Sequence, residues 1–358
     1  MKIDPKIQAR FTRPLIRWYR GAGRDLPWRN AATPYAVWVS EVMLQQTQVA
    51  TVLPYYHRFL SAFPTLLDLA DAPLEKVLKL WQGLGYYARA RHLHRAAQEI
   101  VARYGGEMPG SFDTLHALPG IGRSTAGAIL TIAFGQRHPI LDGNVRRVLC
   151  RFFAIEKDPR EKKTEARLWS ISTALLPLKD PGFFLQAIMD LGATLCKPKS
   201  PQCLICPIKA GCEGLKKGLQ ESLPMKTSRK TVPHFDVLAG VLLYRDQVLV
   251  RRRPLKGLLA GLWEFPERRL DVDATDLPSG AALQAFFKKE LNGVCATWLS
   301  WMTLQHAFTH FRMSLHVYKS RTPKKGRMTA PYQWVRRDRL AELPFSASHQ
   351  KIVLKLTQ

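Results

Sequence analysis

From about Lys6 to Phe134 apolar side chains recur at three- and four-residue spacing, and prolines punctuate the runs. That period predicts a succession of helices. Thr33-Pro34 predicts a helix start, with Thr33 as N-cap and Pro34 at the first helical position. Asp71-Ala72-Pro73 and Met108-Pro109-Gly110-Ser111 are further breaks. After Cys212 the pattern changes. Glu213 to Thr231 is polar and basic and reads as a linker. Val237 to Tyr244 then reads as a buried strand, Arg245-Asp246-Gln247 as a turn, and Val248 to Val250 as its return. Met313 to Tyr318 alternates like another strand. There is no repeat of fixed period. The expected organisation is an all-α region over 1–213, a basic linker over 214–231 and a smaller α+β domain over 232–358.

Composition narrows the function classes. The chain has 358 residues, which favours two or three domains, and 46% of them are hydrophobic, enough for a sizeable core. The formal net charge of +26 marks a polyanion partner, nucleic acid first. A membrane is not expected, since neither a spanning segment nor a separate basic amphipathic helix is present. Met1 to Arg20 lacks a signal-type apolar stretch, so a cytoplasmic, nucleoid-associated protein is expected. Thiols stay reduced there, so cysteines are read as ligands or core residues.

Cys196, Cys203, Cys206 and Cys212 form a C-x6-C-x2-C-x5-C run. Structural zinc takes two close pairs, and only Cys203/Cys206 makes one. The uneven loops suit a cubane held by four thiolates, but donor chemistry alone gives iron–sulfur only a modest edge over zinc. Cys150 and Cys295 read as ordinary buried thiols.

Leu118-Pro119-Gly120-Ile121-Gly122-Arg123 lies between two helical segments. Gly120 and Gly122 permit a tight turn and leave amides unshielded, and a helix starts at Arg123. Exposed amides at a helix N-terminus suit a phosphate.

Two carboxylates suggest acid–base work. Glu41 stands in an apolar segment, Val37 to Leu44, where burial raises its pKa towards that of a general acid. Asp142, in Leu141-Asp142-Gly143-Asn144-Val145, reads from its surroundings as an N-cap or Asx-turn residue.

Several segments together decide a family. They are Arg24-Asp25-Leu26-Pro27-Trp28-Arg29, Ser40 to Val49, Gly83 to Ala90, the Asp142 segment and the cysteine run. From Arg24 to Cys212 the chain resembles MutY-type adenine DNA glycosylases of the endonuclease III, helix-hairpin-helix superfamily. The resemblance implies a [4Fe–4S] cluster on the four cysteines. It implies that Glu41 protonates adenine and that Asp142 stabilises or captures the sugar cation. Trp28, Arg29 and Glu41 help form the adenine pocket, Ser124 and Asn144 are further substrate-binding residues, and Gln46 and Tyr86 wedge into the DNA stack around the opposite base. The expected partner is duplex DNA with adenine opposite 8-oxoguanine or guanine, bound by a monomer.

Superfamily members that also cut the strand use a lysine just after the hairpin to form a Schiff base. Ser124 stands at that position, so the resemblance implies a monofunctional hydrolase. Residues 232–358 resemble the Nudix-like C-terminal domain of MutY proteins. Gly261 and Glu267 fit the start of a pyrophosphohydrolase array, but the later Arg-Glu and paired glutamates are absent, so diphosphate hydrolysis is not expected. Phe308-Thr309-His310 resembles the Phe-Ser-His motif that reads 8-oxoguanine, with threonine in place of serine.

Overall fold

The computed structural model describes residues 4–30, 32–225, 232–270, 280–291 and 297–358. Linker residues 226–231 and Cys295 lie outside the described residues. The chain divides into two compact units, Met1–Asp71 with Arg95–Arg229, and Ala72–His94 with Lys230–Gln358.

The first unit is helical. Its elements are α1 (Pro5–Ala22), α2 (Pro27–Asn30), α3 (Pro34–Leu44), α4 (Val49–Ala62) and α5 (Leu66–Asp71). After α6 (Leu74–Trp81) and α7 (Ala88–Tyr104) follow α8 (Phe112–His116), α9 (Arg123–Ile132), α10 (Gly143–Phe152), α11 (Lys162–Leu175), α12 (Pro181–Asp190) and α13 (Glu213–Lys216). Helix α3 starts as its sequence dictates. Thr33 accepts a hydrogen bond from the Ala36 amide at 3.2 Å and Pro34 follows. It is apolar nearly all round and is buried on nearly every side. The small residues of α9 permit a close crossing, since a Cβ on Gly127 would stand 2.5 Å from the Pro139 carbonyl oxygen. Between α12 and the cysteines the chain makes a π-helical turn, Leu191–Leu195. There Gly192 lies against Asn144, at the start of α10, where a Cβ would come within 2.7 Å.

The second unit is built on one mixed sheet. Its strands are β1 (His234–Tyr244), β2 (Gln247–Arg252), β3 (Trp263–Glu264), β4 (Glu267–Arg269), β5 (Leu299–Ala307), β6 (Arg312–Arg321) and β7 (Tyr332–Arg336). The main order is β3-β2-β1-β6-β5, with β4 on β1 and β7 on β2. β1 and β6 run parallel, from His234 opposite Arg312 to Leu243 opposite Arg321. Alternate residues of β1 enter two cores. Val237, Ala239 and Val241 face α15 (Ala347–Thr357), while Leu238 and Leu242 face α14 (Gly280–Glu290). A strand covered on both faces reads as one continuous apolar run, as β1 does. The turn after β1 is two residues, Arg245-Asp246. Gln247, expected in the turn, instead pairs with Tyr244 as the first residue of β2.

Residues 72–94 group with the sheet rather than with the remaining helices. The Trp263 indole N–H donates to Glu75 at 2.8 Å, and Arg91 donates to the Ala260 carbonyl at 3.0 Å.

Candidate active site

One open cleft of about 1000 Å³ in the helical unit is lined by Trp28, Arg29, Glu41, Gln46, Ser124, Asp142 and Asn144. These residues come from α2, α3, the loop after α3, α9 and the start of α10. The fold therefore gathers seven sequence-predicted site residues onto one surface. Trp28 is fixed at its edge by a T-shaped contact with Tyr56, ring centroids 5.1 Å apart.

Asp142 is both a helix cap and a cleft residue. Its Oδ1 accepts from the Val145 amide at 2.7 Å, so it caps α10, and it also faces the cleft. Burial raises its pKa, but the amides of Val145 and Asn144 and the charges of Arg147 and Arg146 oppose that rise. Burial is also the larger cause at Glu41, followed by the neighbouring Asp142 charge, and together they push it up to about 7 against the pull of Arg29. Two carboxyls in one cleft thus sit in different environments. Asp142 is raised by burial against the pull of its amide bonds and arginines, and Glu41, raised to about 7, holds a proton on a good fraction of molecules near neutral pH.

Ser124 accepts a hydrogen bond from the Leu141 amide at 3.0 Å, one residue before Asp142. In the hairpin, Gly120 has φ 77°, the left-handed conformation the turn needs. Arg123 opens α9 with its guanidinium 3.9 Å over the Trp169 ring. Gln46 and Tyr86 also have positive φ, 58° and 49°, which is uncommon outside glycine and holds each loop in a strained shape.

In the second unit Phe308, Thr309 and His310 form the turn between β5 and β6, closed by the Phe308 amide donating to the Phe311 carbonyl at 2.8 Å. Phe308 stacks on Phe311 with centroids 4.4 Å apart. The hydroxyls of Tyr86 and Thr309 lie 2.9 Å apart, so the threonine that departs from the expected serine has a tyrosine partner.

The four cysteines line a small apolar cavity of about 30 Å³ with Val148, Leu191 and Ile208. Burial first, and then the other three cysteines, push the Cys206 thiol up to about 12. Among the described residues no three His, Cys, Asp or Glu side chains converge on a point that could hold a single ion. Four sulfurs around one cavity are a donor set suited to a thiolate-held metal centre.

Sequence reasoning missed what braces the cleft. Asp190, fully buried at the end of α12, takes hydrogen bonds from both Arg24 and Arg29. Arg147 donates to the carbonyls of Gly192 and Cys196, both at 2.7 Å, and to Asn144 at 2.7 Å. The available signal was a lone acid in the apolar run Phe183 to Leu195.

A profile described as HhH-GPD superfamily base excision DNA repair protein matches residues 39–173, and one described as NUDIX domain matches 238–355. The adenine DNA glycosylase of Buchnera aphidicola from Acyrthosiphon pisum is 36% identical over 315 residues, covering 87% of each protein. That of Homo sapiens is 40% identical over 86% of this chain, which spans 66% of the human protein's length. Among solved structures, a thermostable thymine-DNA glycosylase matches with TM-score 0.55 at 27% identity, over 59% of this chain and 98% of its own. A trapped endonuclease III–DNA covalent intermediate matches with TM-score 0.52 at 26% identity, over 61% of this chain and all of its own. The chain belongs to the adenine DNA glycosylases, with a helix-hairpin-helix base-excision domain followed by a Nudix-like one.

Proposed function

We propose that this protein hydrolyses the N-glycosidic bond of adenine in duplex DNA where adenine stands opposite 8-oxoguanine or guanine. The observation that carries the reading is the carboxyl pair in one cleft, Glu41 raised to about 7 beside an amide-bonded Asp142. Adenine is a poor leaving group as an anion. Glu41 gives it a proton as the C–N bond breaks, and then takes one from the attacking water. Asp142 stabilises or captures the sugar cation. Trp28, Arg29 and Glu41 shape the adenine pocket, and Asn144 lines the same cleft as a substrate-binding residue. Gly120, Gly122 and Arg123 hold a phosphate of the backbone, and Gln46 and Tyr86 fill the space beside the flipped base. A [4Fe–4S] cluster would be held by Cys196, Cys203, Cys206 and Cys212 and would brace the fold, since hydrolysis needs no electron transfer.

The Ser124 hydroxyl cannot form an imine, so the enzyme is monofunctional. Duplexes carrying adenine opposite 8-oxoguanine, guanine or thymine test the reading. The product strand should stay intact until alkali is added, and borohydride should trap no adduct. Strand scission without alkali, with a trapped adduct, would support a bifunctional enzyme instead.

The Phe308-Thr309-His310 turn reads the base opposite adenine, with Thr309 held by Tyr86. A contact of this kind is worth ~1–3 kcal/mol. Thr309→Ala should therefore lower the preference for 8-oxoguanine over guanine by about 5- to 150-fold while leaving excision opposite guanine intact. Equal preference in the variant and the parent removes the turn from damage reading.

A further inference from the structure

Asp190 accepts five hydrogen bonds from two arginines. Its Oδ1 takes Arg24 Nε at 2.8 Å, Arg24 Nη2 at 2.5 Å and Arg29 Nη2 at 2.7 Å. Its Oδ2 takes the Arg24 amide and Arg29 Nη1, both at 2.9 Å. A carboxylate has about four lone-pair sites, so both oxygens are saturated and none remains for a substrate. Arg29 Nη1 also donates to the Arg24 carbonyl at 3.0 Å, and the guanidinium lies 5.5 Å from the Tyr19 ring centre. The Tyr19 hydroxyl in turn donates to Gln186 at 2.5 Å. Arg29 is thus tied through both terminal nitrogens, while lining the same cleft as Glu41.

The charges around Glu41 come from several elements. Asp142, at the start of α10, and Arg29, from α2, act on it directly. Arg146 and Arg147 of α10 act on Asp142, and Arg24 and Arg29 both ion-pair with Asp190 of α12. The Arg24–Arg29–Asp190 group carries one net positive charge, and loss of Asp190 would double it.

We infer that Asp190 is a positioning residue for excision: it anchors the Arg29 guanidinium and keeps that charge from ion-pairing with the Glu41 carboxyl. A free guanidinium beside the cleft would hold Glu41 ionised and remove the proton that adenine needs. The inference rests on Glu41 being the acid, and the test separates the two.

The titration of Glu41 is read directly in the full-length protein from its carboxyl C=O infrared band, assigned by its loss in Glu41→Gln. Excision is followed under single turnover from pH 5 to 9. Asp190→Asn should lower the Glu41 midpoint by about 1–2 units. Because the protonated form is the active one, excision at pH 8 should fall about 10- to 100-fold and approach the parent rate at pH 5. Asp190→Glu keeps the charge and should return the midpoint. Arg24→Gln keeps Asp190 and removes one cation, so it should raise the midpoint, and it decides the matter if Asp190→Asn does not fold. A midpoint that moves without the excision profile following supports the anchor and removes Glu41 as the acid. A midpoint unmoved in Arg24→Gln and in folded Asp190→Asn overturns the inference, even if excision drops equally at every pH.

Discussion

Glu41→Gln should lower single-turnover adenine excision by about 10²–10⁴-fold while duplex binding is retained. The amide keeps the size and the hydrogen-bonding capacity of the side chain but has no proton to transfer. Binding should survive because the phosphate contacts proposed for Gly120, Gly122 and Arg123 do not use the Glu41 side chain. The parent enzyme's pH profile follows from the same group. On the proposed mechanism the protonated Glu41 is the active form, so excision should be full well below pH 7 and decline as pH rises through about 7. In Glu41→Gln that decline should vanish along with the rate. A variant that excises adenine at the parent rate would remove Glu41 from the chemistry.

Arg151→Met should destabilise the helical unit by about 3–5 kcal/mol. Arg151 is 2% exposed and donates to the carbonyls of Leu223, Lys197 and Pro198 at 2.9, 2.7 and 3.2 Å. It also reaches Cys196 Sγ at 3.4 Å. Methionine fills part of the volume but strands those acceptors, and each buried unpaired group costs about 1–3 kcal/mol. Urea unfolding measures the loss, and iron per chain should fall with it because the same guanidinium holds the start of the cysteine loop. A change under 1 kcal/mol with full iron would mean that other donors serve those carbonyls.

Local chemistry was legible in the sequence. Thr33-Pro34 caps α3, Gly120 takes the left-handed turn, and Asp142 caps α10, because each depends on a few neighbouring residues. Glu41 was legible from the apolar segment around it. Asp190 was not, because its partners Arg29 and Arg24 lie 161 and 166 residues away and no local period connects them. The grouping of residues 72–94 was also hidden. Helix α6 is amphipathic, and an apolar stripe does not reveal which core it will enter. Gln247 reads as turn from its polarity but pairs as strand, because polarity marks a turn as readily as the end of a strand.

The bond from the Leu141 amide to Ser124 bears on how this chemistry could have diverged. A lysine at position 124 would offer an amine but no acceptor. It would leave the amide of a buried residue unpaired beside Asp142, at about 1–3 kcal/mol. Exchanging serine for lysine here is therefore not a neutral swap of one side chain for another. The hydroxyl at position 124 is also part of the main-chain architecture that presents Asp142, and a substitution that changes the chemistry at this point disturbs that support as well.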